Sequence, residues 1–320
     1  MLNIVNIDSY KYSDEAKSKL ISIGNYQEVN IQKKDAEKLI KFADAIILRF
    51  GIKIDKNFLI RNPKLKYIIT NVTGLNNLDQ LECKKRGIKI FSLKNKNSFL
   101  KNITSTAELT LALVLNLSRR LPHAYMDVLK GRWRRDHFLG RNLYKKSVGI
   151  IGMGRNGKLI AKYCSSFGMK VNFFEKKKIK IKNKKYIKIK ALKKILQISD
   201  FIIVCLSLEK DTINFLKYSD FKKMKKNSFL INISRGEVIN EFDLTKALKN
   251  KIIAGAALDV ISNENSFNPK KNILINYARK NNNLIITPHI GGATIESWNK
   301  TELFVVKMFI KFIKNNRSSL

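Results

Sequence analysis

Three segments in the last part of the chain place residues suited to proton and anion chemistry at or just past apolar, strand-like runs. INISRGEVIN carries Arg235, AALDVISNE carries Asp259 with Glu264 five residues on, and ITPHIGGAT carries His289 ahead of two glycines. An imidazole moves protons near neutral pH, a carboxylate can orient it, and a guanidinium holds an anion through a fork of donors. In open parallel sheets, side chains at the carboxyl ends of strands face one crevice, so Arg235, Glu264 and His289 are expected to converge. Taken singly, each has an ordinary reading as a surface ion pair, a solvated acid or a hydrogen-bonded histidine. Their order and context carry the functional one.

A second chemistry lies upstream. SVGIIGMGRNG, residues 147–157, is a strand running into Gly152-x-Gly154-x-x-Gly157 and then a helix. Gly152 serves the tight turn, Gly154 lets backbone approach a pyrophosphate, and Gly157 lets the helix pack on the sheet. Arg155 and Asn156 lie inside the same loop, where the helix amides meet the phosphates. The next strand ends at Glu175, 18 residues past Gly157, where a carboxylate can bind ribose hydroxyls and repel a 2′-phosphate. This predicts NAD over NADP, a preference that Lys176, Lys177 and Lys178 partly offset.

The elements that must position these groups alternate between β-rich and helical runs, the pattern of parallel α/β units. Strands are expected at 2–7, 45–50, 66–72 and 88–91, and then at 147–152, 169–175, 200–206, 228–233, 252–258 and 284–287. A helix is expected over 79–86. A long apolar helix spans about 105–121, with Ser105 and Glu108 as a capping box. The segment 176–190 holds nine lysines and is expected to be a solvated loop.

Composition bounds the reading further. The 320 residues carry a net charge of +38, which would ordinarily point to nucleic acid. Yet 50 Lys stand against 13 Arg, beside 33 Asn and 42 Ile, residues whose codons are all A/T-rich. The charge therefore reads as a solvated, lysine-decorated surface rather than a nucleic-acid footprint. No apolar run reaches the length of a membrane-spanning helix, and no secretory signal opens the chain. Three unclustered cysteines and three histidines suit reduced thiols in a cytoplasmic protein with no protein-ligated metal.

The chain resembles the D-isomer-specific 2-hydroxyacid dehydrogenase family along nearly its whole length, in NVTGLNNLD, STAELTLAL, GRNLYKKSVGIIGMGRNG, INISRGEVINE, GAALDV and ITPHIGGATIES. The resemblance implies two Rossmann-like or flavodoxin-like domains with parallel sheets, the cofactor domain (103–291) inserted into a substrate domain (1–102 and 292–320). It implies that Arg235 binds the substrate carboxylate and polarises the C2 oxygen, and that His289 is the acid/base. Glu264 would orient His289 and stabilise its charged form. Amides around Thr73 and Gly74 would hold the carboxylate, and Asp259 would support the site near the cofactor. A homodimer is implied through the cofactor domain, with the helix from Ser105 as its core. The chain departs from the family pattern at Asn156, Ser207, Asn265 and near Asn71.

The substrate is less determined. Arg49, at the end of the expected strand AIILRF, resembles the position where phosphoglycerate-oxidising relatives place an arginine for a substrate phosphate, so 3-phosphoglycerate stays open. Arg132, Arg134 and Arg135 are further candidates, reaching across from a partner subunit. The chain ends soon after its final helix, which argues against the long, regulated phosphoglycerate dehydrogenases. The alternative reading is a non-enzymatic NAD(H)-binding regulator of corepressor type that contacts nucleic acid through its basic surface.

Overall fold

The computed structural model describes residues 1–30, 34–181, 183–264 and 268–317; Lys182 and Asn265 lie outside them. The chain is α/β, as the sequence predicts, and forms two compact units, 1–103 with 293 onward, and 104–292. No helix among the described residues is long and apolar enough to cross a membrane.

The first unit holds five parallel strands, β1 (Leu2–Asn6), β2 (Gly24–Glu28), β3 (Ala45–Leu48), β4 (Tyr67–Thr70) and β5 (Lys89–Phe91), in the order β2-β1-β3-β4-β5. The central strands AIIL and YIIT are apolar runs because helices cover both sheet faces. The edge strand GNYQE is polar and carries no such signal, so the sequence reading misses it. The helix Gln80–Lys85 begins at Asp79, whose carboxylate accepts from the Glu82 amide.

The last helix, Ile295–Arg317, closes this unit. Val305, Val306 and Phe309 are buried against the sheet, and the Phe309 ring lies 5.3 Å from those of Tyr67 and Phe91. The same helix contributes Glu302, a fully covered carboxylate. Its Oε1 accepts from Arg49 Nη2 at 2.6 Å and Nε at 3.1 Å, and its Oε2 accepts from the Ser13 amide at 2.8 Å. Arg49 also donates to the carbonyl and carboxylate of Asp8, at 3.0 Å each, and its guanidinium lies over the Trp298 ring at 4.1 Å. Burial pushes the Glu302 carboxyl up from its ordinary value, against the pull of the Ser13 amide and Arg49.

The second unit holds seven parallel strands, β6 (Ser147–Ile151), β7 (Lys170–Phe174), β8 (Ile187–Lys188), β9 (Phe201–Val204), β10 (Phe229–Asn232), β11 (Gly255–Leu258) and β12 (Leu284–Ile286). Their order is β12-β11-β10-β9-β6-β7-β8, so the chain leaves β6 toward one edge and returns to its other side at β9. That reversal opens a crevice at the carboxyl end of β6. The lysine-rich segment is not simply a loop. It contains the edge strand β8, and Ile179, Ile181 and Tyr186 pack on the core between the exposed lysines. Charge on an edge strand discourages pairing with another sheet.

The apolar helix also differs from expectation. It runs Ser105–Arg119 and starts from Thr104, with no side-chain cap; Ser105 Oγ is buried without a hydrogen-bond partner. Arg120 turns left-handed at φ 56°, and a second helix, Leu121–Leu129, follows with proline in its first turn. Ala107, Leu113, Val114 and Leu117 of the first helix are buried in its own unit. The exposed apolar surface belongs instead to the second: Leu121, Tyr125, Met126, Val128 and Leu129, with Trp133 and Leu139 beyond it.

Glu302→Ala leaves the covered Arg49 guanidinium with Asp8 as its remaining carboxylate partner, and each of the two hydrogen bonds lost to a charged group is worth about 1.5–3 kcal/mol. Urea unfolding should show that loss, and Arg49→Met with Glu302→Leu should recover most of it.

Candidate active site

The cofactor loop is built by close approach. Gly152 turns at φ +97°, its amide donates to the Phe174 carbonyl at 2.9 Å, and a Cβ there would strike the Cys205 carbonyl. Gly157 packs against the Gly152 carbonyl with no room for a side chain, which brings the helix Arg155–Ser166 onto the loop. Gly154, the residue before that helix, has the opposite surroundings: a Cβ there would meet nothing within 4 Å. Backbone facing open space at a helix N-terminus is what a pyrophosphate requires. Arg155 is covered enough that burial pulls its guanidinium below its ordinary value. Asn156 buries its Oδ1 without a hydrogen-bond partner.

Glu175 folds back over this loop. Its Oε2 accepts from the Met153 amide at 3.0 Å and its Oε1 from the Lys177 amide at 2.9 Å. A carboxylate has about four lone-pair sites, so two stay available for a ribose diol. Lys176 is committed elsewhere, to Asp211 at 3.0 Å. The loop and Glu175 together fit a nicotinamide dinucleotide.

The structure joins two of the three predicted catalytic residues directly. His289 Nδ1 lies 2.5 Å from Glu264 Oε2, and Glu264 Oε1 accepts from the Ile261 amide of its own loop at 3.0 Å. Arg235 follows β10, in a turn stapled by Asn232, whose Oδ1 takes the Ser234 amide and hydroxyl and whose Nδ2 reaches the Arg235 carbonyl at 2.9 Å. Burial lowers the Arg235 guanidinium from its ordinary value, and the charges of Glu264 and Glu237 oppose that shift. An arginine stays charged in such surroundings.

Asp259 acts on His289 through the backbone. The His289 amide donates to the Asp259 carbonyl at 2.8 Å. The buried carboxylate takes the Ile290 amide at 2.9 Å, the Gly291 amide at 2.8 Å and the Thr287 hydroxyl at 2.6 Å. Burial raises its carboxyl and these three donors pull it back. The grip has a purpose, because His289 adopts φ 53°, a left-handed conformation unfavourable for a residue with a Cβ. Gly291 is glycine for the same reason: a Cβ there would meet Asp259 Oδ2 at 2.9 Å. The sequence reading missed Thr287, and a hydroxyl at a strand end carries no signal of its own.

In the first unit, Thr73 and Gly74 lie in the loop after β4, anchored nearby by Asn71 Nδ2, which donates to Thr301 Oγ1 at 3.2 Å. Arg49 is not the open phosphate anchor the sequence suggested, since its four hydrogen bonds go to Asp8 and Glu302 and its side chain is 11% exposed. Arg132 and Arg134 pair with Asp127, and Arg135 with Asp136.

Comparison with known proteins agrees with this geometry. The family model for the D-isomer specific 2-hydroxyacid dehydrogenase NAD binding domain matches residues 111–291, nearly all of the second unit. A glyoxylate reductase of Thermococcus litoralis is 35% identical over 283 residues, 86% of this chain and 82% of that protein. A D-3-phosphoglycerate dehydrogenase of Bacillus subtilis is 32% identical over 307 residues, 96% of this chain but 56% of that protein. The solved D-lactate dehydrogenase of Aquifex aeolicus, complexed with NAD and lactic acid, superposes with a TM-score of 0.83 at 26% identity, covering 99% of this chain and 97% of that one. With a dinucleotide loop, a His–Glu pair and a half-buried arginine at the ends of strands of one parallel sheet, and with that match, the chain belongs to the D-isomer specific 2-hydroxyacid dehydrogenase family and is a nicotinamide-dinucleotide-dependent oxidoreductase of 2-hydroxy and 2-keto acids.

Proposed function

We propose that the chain uses NAD(H) to interconvert a small, unphosphorylated 2-keto acid, of the size of glyoxylate or hydroxypyruvate, with its D-2-hydroxy acid. The observation that carries the chemistry is the 2.5 Å bond between His289 Nδ1 and Glu264 Oε2. The preference for an unphosphorylated acid rests on the arginines. Arg49 is tied to Asp8 and Glu302, and Arg132, Arg134 and Arg135 each have an acidic partner. The glyoxylate reductases among its relatives agree with that preference.

A nicotinamide dinucleotide held by the Gly152–Gly157 loop and Glu175 would supply the hydride chemistry at C2 in either direction. Arg235 holds the substrate carboxylate and stabilises negative charge growing on the C2 oxygen. With Nδ1 committed to Glu264, His289 is assigned to give the proton to that oxygen, and to remove it in the reverse direction, through Nε2. Glu264 fixes the tautomer and stabilises the imidazolium by a charge-assisted bond. Thr73 and Gly74 serve as further carboxylate donors through their amides. Glu175 favours a free 2′-hydroxyl and so NAD over NADP.

A homodimer is part of the proposal, but through the helix Leu121–Leu129 rather than the helix from Ser105. A run of exposed Leu121, Tyr125, Met126, Val128, Leu129 and Trp133 is more apolar surface than a solvated helix presents singly, and a second copy would cover it.

His289→Gln and Arg235→Gln should each lower kcat/KM with glyoxylate about 10²–10⁴-fold while NADH fluorescence titrations stay unchanged. Full activity in either variant refutes its role. In a panel of 2-keto acids with NADH and NADPH, glyoxylate or hydroxypyruvate with NADH should turn over best. A strong preference for phosphohydroxypyruvate would overturn the unphosphorylated substrate. Sedimentation should give a dimer, and Tyr125→Lys with Val128→Glu a folded monomer.

A further inference from the structure

We infer that Glu237 and Glu241 are positioning residues that clamp the Arg235 turn to the loop carrying Glu264, so that substrate anchor and proton relay move as one piece. The inference rests on the dehydrogenase reading above.

Three consecutive amides precede Glu264, and each goes to a different carboxylate. The Ile261 amide goes to Glu264 Oε1 itself at 3.0 Å, the Ser262 amide to Glu241 Oε1 at 2.6 Å, and the Asn263 amide to Glu237 Oε1 at 3.1 Å. Glu237 belongs to the short turn Gly236–Val238 directly after Arg235, and Glu241 opens the helix Glu241–Lys249 that follows. Gly236 brings the two segments into backbone contact, since a Cβ there would overlap the main chain of Ile261 and Ser262. The Arg235 turn and the Glu264 loop are thus fastened at three points.

The fastening has a cost that needs a return. Glu237, Glu241 and Glu264 crowd three carboxylates around one turn, and burial raises Glu241 while the Ser262 amide draws it back. Asn263 adopts φ 57°, left-handed, immediately before Glu264. The return is position. Glu264 spends Oε1 on its own loop and Oε2 on His289, so where the loop lies sets where the imidazole is held. Released from Glu237 and Glu241, the loop would lose both hydrogen bonds that tie it to the segment after Arg235, and small displacements of a reacting group are costly in rate. The charge of Glu237 also acts on Arg235. A clamp and a purely electrostatic role make different demands: an amide oxygen can replace a carboxylate oxygen as acceptor but carries no charge.

The test compares alanine and glutamine at both positions in the full chain. Glu241→Ala should lower kcat with NADH and a 2-keto acid about tenfold and Glu237→Ala about threefold, each with a raised KM for the keto acid and unchanged NADH affinity. Glu241→Gln and Glu237→Gln should stay within about twofold of the parent. A second readout needs no turnover. The low-field proton resonance of the short His289–Glu264 bond, assigned by its loss in Glu264→Gln, should shift or broaden in the alanine variants and persist in the glutamine ones. Parent-like kcat in both alanine variants, glutamine variants as impaired as alanine, or losses that follow a lowered Tm with an unaltered imidazole resonance would each overturn the clamp. A parent inactive on every 2-keto acid would instead overturn the dehydrogenase reading, and the resonance would still decide the clamp.

Discussion

Asp259 holds a backbone conformation that the chain would not adopt unaided. A left-handed His289 is unfavourable by itself, and it persists because a buried carboxylate collects two amides and a hydroxyl from the turn around it while its carbonyl takes the histidine amide. That turn aims the imidazole at Glu264, and Glu264 in turn depends on a loop with its own left-handed residue, Asn263. Two strained positions therefore flank one short hydrogen bond. The strain is tolerated because the sheet beneath is rigid: β10, β11 and β12 are parallel neighbours, so the segments leaving them are set side by side by strand register.

The same parallel sheet sets the glycine loop and the His289–Glu264 pair at the carboxyl ends of its strands. The crossover at β6 and β9 opens the crevice, and Gly154, at the start of the following helix, puts no side chain into the open space beside it. Gly152 and Gly157 are glycine because backbone presses on them, whereas Gly154 is glycine where space is left open. One motif thus contains two physical reasons for the same residue.

Much of this was legible in the sequence, and the gaps have physical causes. Buried parallel strands are continuous apolar runs, so β3, β4, β9 and β10 could be placed within a few residues. The polar edge strands β2 and β8 have only one neighbour and no need of such runs, and neither was found. The residues at strand ends drew notice by type and position, yet the bond between His289 and Glu264 depends on loop conformation that no spacing encodes. Arg49 is the clearest failure. Its meaning is fixed by Glu302, 253 residues away in the chain, and local context offered only an unpaired cation. Ser105 misled for a related reason: the right residue types stood one position inside a helix that begins from Thr104.

The last helix completes the core of the first unit with Val305, Val306 and Phe309, and latches it through Glu302 to Arg49, Asp8's neighbour in that network. Residues 104–292, which form a unit of their own, lie between the two parts of that core in the chain. During synthesis from the N-terminus, the first hundred residues emerge early but lack the surface they must pack against. The cofactor-binding unit has all its strands before the final helix is made. Domains tend to fold as units in the order in which they become complete. The order of assembly this favours is inverted relative to the order of translation: the inserted unit has its own core before the helix Ile295–Arg317 is made, and the N-terminal strands wait for that helix with part of their apolar face uncovered.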